Sequence, residues 1–337
     1  MKRLFAIALT LCMMFSLVAC GGNASTEKPA EDPKPAEEAD TFDYPTKPVT
    51  MMVAWPAGGG SDLLTRAIAA DFPTYAGQNM NVTNRDGAGG TIGFAEAVDY
   101  ENDGYNLLYS TSGVFSAQPL LREVEYTIDD FDFICGVGKK PMSLAVPAAW
   151  GVTNIVEWID YVKANNIEVT VGTSGAAGSI PAFGAEALFP MLAEKGLTNY
   201  NIVNYSGAGE VIPALLSGEI NCGFFHPHEA QPYVESGDFT CICIAEEERS
   251  ENFPDLATCK EQGVDFTLAV LEGYIAPTGI DPEIRDYLEE TILKILEEGS
   301  NYSTYREGSR HQTLGTSGQE FHDAVVAQSE LFQTMFG

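Results

Sequence analysis

Val49-Thr50-Met51-Met52-Val53-Ala54-Trp55-Pro56-Ala57-Gly58-Gly59-Gly60-Ser61-Asp62 decides the fold. The first six residues are a short apolar strand. Trp55-Pro56 and three glycines break it. Ser61 is placed to cap a following helix, with Asp62 in its first turn. Leu64, Ile68 and Phe72 then recur at helical spacing and mark one buried face. Strand, glycine loop and helix start follow one another without a gap. Outward from this stretch the pattern repeats. A second strand, 79–84, runs into Gly87-Ala88-Gly89-Gly90 and a short helix over 92–98. A third strand at Leu107-Leu108-Tyr109 ends in Ser110-Thr111-Ser112-Gly113. This βαβ rhythm predicts a parallel α/β sheet.

The rhythm resumes after residue 140. Ser143 to Val146 reads as a strand. Thr153 is placed to cap a helix carrying Ile155, Ile159 and Val162. Glu168 to Val171 is a strand leading into Gly172-Thr173-Ser174-Gly175-Ala176-Ala177-Gly178-Ser179 and a helix with Phe183, Ala187 and Met191. Units at 201–217 and 220–236 and a strand at 240–244 follow, and 266–276 reads as a returning strand. Asp281-Pro282 caps a helix whose face is Ile284, Leu288, Ile292 and Ile295. A last helix, about 318 to 335, turns Phe321, Val325 and Leu331 or Phe332 inward. No fixed-period repeat occurs. We therefore expect two α/β lobes, each a mainly parallel sheet flanked by helices: lobe one from 44–142 plus 265–337, and lobe two from the inserted 143–264.

The length of 337 residues suits two domains at roughly 100–200 residues each. With 45% hydrophobic and 20% charged residues the chain is globular, not disordered. The 18 basic against 48 acidic side chains exclude a nucleic-acid binder, because phosphates are held by clustered Lys and Arg. Lys2-Arg3, an apolar run from Leu4 and Leu17-Val18-Ala19-Cys20 read as a lipoprotein signal, 1–19, cleaved before a lipid-modified Cys20. The run is short for a retained span of ~20 apolar residues. Segment 20–43 is acidic and Pro-rich, cannot build a core, and is expected to tether the rest to a membrane surface. The downstream thiols are Cys135, Cys222, Cys241, Cys243 and Cys259. Their odd number and apolar surroundings favour buried reduced side chains over a disulfide framework.

Two loops share one chemistry. Ala57-Gly58-Gly59-Gly60-Ser61-Asp62 and Thr173 to Ser179 each join a strand end to a helix start. In open α/β sheets this is the edge where ligands bind. A helix start offers unpaired N–H groups and about half a positive charge. Small residues let a ligand approach the backbone, and the hydroxyls add donors. Together they form a carboxylate site that needs no Arg or Lys. The glycines of one loop alone could serve tight turns; two such loops in separate lobes point to a shared ligand. Asp62 can either favour the helix start or accept from a ligand ammonium or hydroxyl. Two other readings are open. His226-Pro227-His228 could ligate a metal, although two ligands make a weak motif and the pair sits at a strand-to-helix turn. A hydrolase is the less favoured alternative: the sequence holds no G-x-S-x-G elbow or Walker A motif and has four His.

These stretches, with Tyr44-Pro45-Thr46-Lys47-Pro48-Val49-Thr50, Asn84-Arg85-Asp86-Gly87-Ala88-Gly89-Gly90-Thr91-Ile92-Gly93 and Asp103-Gly104-Tyr105-Asn106-Leu107-Leu108, resemble the substrate-binding proteins of tripartite tricarboxylate transporters, the Bug-type receptors. The resemblance spans Tyr44 to about Phe336. It implies a two-lobed periplasmic-binding-protein fold of type II, no catalysis, no cofactor, and a small carboxylate (mono-, di- or tricarboxylate, or an amino acid) gripped in the cleft. It assigns ligand contacts to Ala57, Gly58, Gly59, Ser61 and Asp62 on one lobe and Ser174, Gly175, Gly178 and Ser179 on the other. Trp55, Ser110, Ser112, Thr173 and Tyr205 are candidate cleft residues. It also implies permease subunits in the membrane as partners and an extracytoplasmic location. Where the family often carries Lys, this chain has Ser206, which argues against a highly charged anion.

Overall fold

The computed structural model describes residues 42–337. The signal segment, Cys20 and the tether up to residue 41 lie outside the described residues. The strands are β1 Val49–Val53, β2 Met80–Asn84, β3 Asn106–Thr111, β4 Phe131–Pro141, β5 Ser143–Pro147, β6 Val169–Thr173, β7 Tyr200–Asn204, β8 Cys222–Phe225, β9 Phe239–Ile244, β10 Ala269–Pro277 and β11 Gln312–Ser317. The helices are α1 Gly60–Ala76, α2 Thr91–Ala97, α3 Gly113–Ser116, α4 Gln118–Leu121, α5 Ile155–Ala164, α6 Ile180–Glu194, α7 Ala208–Ser217, α8 Pro227–Ser236, α9 Pro282–Glu298, α10 Ser300–Ser309 and α11 Gly318–Phe336.

They build the expected α/β architecture of two sheets flanked by helices. The six-stranded sheet runs β11-β4-β10-β3-β1-β2 and the five-stranded sheet β7-β6-β8-β5-β9. We call each sheet with its helices a lobe. The expectation of mainly parallel sheets needs correction, because both are mixed. β1, β2 and β3 pair in parallel, as do β6, β7 and β8. β4, β10 and β11, and likewise β5 and β9, are antiparallel to their neighbours. The cause is the crossing of the chain between sheets. β4 passes into β5 with only Met142 between them, and β10 brings the chain back after β9, so crossing strands run against the βαβ strands.

Each sheet buries its apolar residues under its own helices. Leu64, Ile68 and Phe72 of α1 lie at 0% exposure with Leu288, Ile292 and Ile295 of α9 against the first sheet. Trp158, Leu188 and Phe189 cover the second. α11 carries Phe321 in the lobe-one core, while Phe332 further along packs on Phe183 of α6, rings 5.5 Å apart. Phe332 is therefore the inward residue, and Leu331 stays 48% exposed. Two expected caps shift. The N-cap of α1 is Gly59, not Ser61, and Asn154, not Thr153, caps α5 through a 2.9 Å bond from the Glu157 N–H. The five described cysteines are free thiols. On a regular strand Cys241 and Cys243 would share one face, but a register shift in β9 opposes Leu144 to Cys243 and Ala145 to Cys241. The shift sends Cys243 to the α5–α6 side and Cys241 to the α7 side.

Candidate functional site

The two glycine loops meet the interlobe gap at helix starts, but in different chemical states. α1 begins at Gly59-Gly60 with no side chain capping it. Gly58 has φ +80°, a conformation that glycine adopts without strain. Its N–H donates to Asp62 Oδ2 at 2.8 Å. Asp62 also accepts from Arg66 Nε at 2.9 Å and Asn84 Nδ2 at 3.0 Å. Burial alone would raise its pKa, but these three donors together lower it to about 2. Asp62 is thus fastened to its own loop. Ala57, Gly58 and Gly59 are exposed, and Ser61 is half-buried with its side chain beside the Tyr109 hydroxyl. Trp55 packs edge-on against Tyr109 and Phe94, and its carbonyl accepts from Asn84.

On lobe two, Ser179 caps α6 by accepting from the Ala182 N–H at 3.4 Å. Thr173 bonds to the Gly175 carbonyl and Asn204. Gly178 has φ +77°, and a Cβ there would overlap Leu121 of lobe one. Ser174 differs from its neighbours. Its Oγ is buried and has no hydrogen-bond partner among the described residues. Ser110 and Ser112 are fully buried, and Ser112 Oγ accepts from the Leu271 N–H at 3.1 Å, so both belong to the sheet. The Tyr205 hydroxyl turns to Glu219 at 3.0 Å.

Gly60 and Ser174 face a shared cavity of about 360 Å³ between the lobes, a size that suits a small molecule. Its other walls come from residues the sequence reading did not assign to the carboxylate. Gly207 and Ala208 open α7. His226, Pro227, His228 and Glu229 form the start of α8. Lys140, Tyr305 and Arg310 close the lobe-one side. A larger crevice of about 1190 Å³ lies beside the loop Glu246–Asn252. It shares Lys139, Arg310, His311 and Gln312 with the smaller cavity but touches neither glycine loop.

The lobe-one wall is charged, which the expectation of a site without Lys or Arg did not include. Lys140 Nζ lies 2.6 Å from Glu272 Oε1. The sheet register explains the meeting. Glu272 of β10 stands opposite Gly138 of β4 and Thr111 of β3, so Lys140 and Tyr109, two residues along, are its diagonal neighbours. The Tyr109 hydroxyl donates to Glu272. Burial pushes Glu272 up and Lys140 down, but their mutual attraction outweighs it and keeps both charged. The line Ser61–Tyr109–Glu272–Lys140 thus ties the glycine loop to the strand that crosses between lobes. Arg310 pairs with Glu235 of α8 at 3.1 Å and Lys139 with Glu246 at 2.6 Å, both across the gap.

His226 and His228 stack with centroids 5.7 Å apart. Burial lowers each to about 4, so both rings are neutral near pH 7. His226 Nδ1 is engaged by the Pro141 carbonyl at 2.9 Å. Among the described residues no group of three His, Cys, Asp or Glu is placed to hold a metal, so the alternative of a metal receptor gains no support from this pair.

The family model described as "Tripartite tricarboxylate transporter family receptor" matches residues 64–323. The chain belongs to that family. The receptor is similar to Protein BugT of Bordetella pertussis, 29% identical over 77% of this chain and 78% of that one. It shares its fold with a TctC solute-binding protein from Polaromonas (TM-score 0.75, 24% identity, 87% of this chain and 98% of that one). It also resembles R. palustris Rpa4515 with adipate (TM-score 0.70, 26% identity, 87% and 97%). The family is one of extracytoplasmic solute-binding receptors for transporters, not of enzymes.

Proposed function

We propose that this receptor captures a small carboxylate between its lobes and presents it, closed, to permease subunits in the membrane, while lipid on Cys20 keeps it at the membrane surface. The observation that carries the ligand class is the cavity lined by both Gly60, at the uncapped start of α1, and Ser174, whose buried hydroxyl lacks a partner among the described residues. Unpaired N–H groups at a helix start and a buried hydroxyl without a partner are both satisfied by an anionic oxygen. Adipate in a relative supports a dicarboxylate as the first choice. The candidate contacts are Ala57, Gly58, Gly59 and Ser61 with Trp55 on one side, where Ser110 and Ser112, at 0% exposure, give support from within. Thr173, Ser174, Gly175, Gly178, Ser179 and Tyr205 stand on the other. Gly60 and Ser174 line the cavity; Asp62, Thr173 and Ser179 act through the loops they brace. Closure is a hinge motion at the strand crossings.

Thermal denaturation of the processed receptor with adipate, malate, citrate and single amino acids tests the reading. Binding at a hundred times Kd stabilises by about 2.7 kcal/mol, which raises the melting temperature measurably. A carboxylate that raises it supports the proposal. A shift by divalent metals alone, with every carboxylate inert, refutes it. Cys20→Ser is expected to release the chain from the membrane fraction.

A further inference from the structure

Lys140 stands next to the end of β4, with Met142 alone between that strand and β5. Its ammonium lies 3.7 Å from the point where a Cβ on Gly60 would sit, so it stands beside the uncapped start of α1, and both line the cavity. Glu272, behind it, is fully buried and is further held by Tyr109. An exposed lysine swings freely; this one, at 21% side-chain exposure, is seated. An ammonium carries three N–H donors, and Glu272 Oε1 takes up one direction. Lys140 is itself one of the residues that line the cavity.

We infer that Lys140 is the specificity-determining residue of the cleft: a ligand carboxylate bridges Lys140 Nζ and the free N–H groups of α1, so that the ionised acid is selected over its neutral amide. The inference rests on the interlobe cavity being the ligand site, as proposed above. Its physical basis is asymmetric. A carboxylate offers only acceptors, and Lys140 Nζ and the N–H groups at the start of α1 offer only donors. An amide turns either an NH₂ toward those donors or a weaker oxygen, and leaves donors unpaired in a partly dry site. Arg310 and Lys139 do not share this role, because their partners Glu235 and Glu246 lie on the opposite lobe and those pairs bridge the gap. A purely structural Lys140–Glu272 pair would tie β4 to β10 without reading the ligand.

The double variant Lys140→Met/Glu272→Gln separates the two roles, since removing both charges leaves no lone buried ion. Calorimetric titration would use the tightest carboxylate from the thermal panel and its fully amidated isostere. The wild type is expected to prefer the carboxylate strongly. In the double variant carboxylate affinity should fall at least about tenfold while amide affinity moves by less than about threefold. Loss of both alike, or retention of the preference in a cooperatively melting variant, overturns the inference and leaves the carboxylate reading standing. A wild type that ignores every carboxylate refutes both. If the double variant does not fold, a wild-type crystal structure with that carboxylate decides. An oxygen within about 3.2 Å of Lys140 Nζ supports the role, and a carboxylate bound away from it overturns it.

Discussion

Asp62→Asn isolates what holds the first glycine loop in shape. The carboxylate takes bonds from the Gly58 N–H, Arg66 and Asn84 and is 2% exposed. Its pKa in the fold is about 2, against an ordinary 3.8. Nearly two units at 1.36 kcal/mol each set an upper bound of about 2.5 kcal/mol. Arg66 is 48% exposed, so solvent screens its share, and we take about 1–2 kcal/mol. At about 2–4 °C per kcal/mol, the variant should melt about 2–8 °C lower at pH 7. The folded pKa lies below the unfolded one, so the carboxylate stabilises fully above the unfolded value. That contribution fades as pH falls through 4 toward 2. Paired melts of wild type and variant from pH 7 to pH 3 are therefore expected to converge at the acid end. A gap that stays constant with pH, or no gap at pH 7, would show that the loop does not depend on this charge.

Ser174→Ala removes a buried hydroxyl that has no partner, so the ligand-free melting temperature should stay within about 1 °C while carboxylate affinity falls about 5- to 30-fold; unchanged affinity by calorimetry would take Ser174 out of the site. Gly178→Val forces a β-branched residue to φ +77° and into Leu121, so binding should be lost and the scattering radius in solution should grow while the melt stays cooperative. Phe332→Ala should cost about 3–5 kcal/mol, because the ring is 1% exposed against Phe183, whereas Leu331→Ala, half exposed, should cost little in the same denaturant titration.

The β1–α1 and β6–α6 units were legible because each strand ends in a glycine loop before a helix start. β4 was legible only at Ile134-Cys135. Gly136, Gly138, Lys139 and Lys140 interrupt its pattern, for reasons that lie elsewhere in the chain. A side chain at Gly136 would strike Leu314 and Thr316 of β11, and one at Gly138 would strike His311 and approach Glu272. Those glycines make room for a strand and a carboxylate more than a hundred residues away, so no local period records them. β11 itself has Leu314 as its one large apolar residue and is a strand because β4 pairs with it. The same distance hid half of the site. Loop chemistry pointed to Ser61 and Ser174, but nothing local joins Lys140 to Glu272. Two anomalies do mark them: the one adjacent Lys-Lys pair in an acidic chain, and a lone acid in Leu271-Glu272-Gly273-Tyr274. An acid inside a buried strand demands a partner, and the register then supplies it. Glu272 opposite Gly138 puts Lys140 on its own face, whereas a slip of one residue would turn Lys139 toward it and send Lys140 to the opposite face. The charge in the cleft is thus fixed by the pairing of β4 with β10, and the missing side chain at Gly138 is what lets that pairing hold an ion pair.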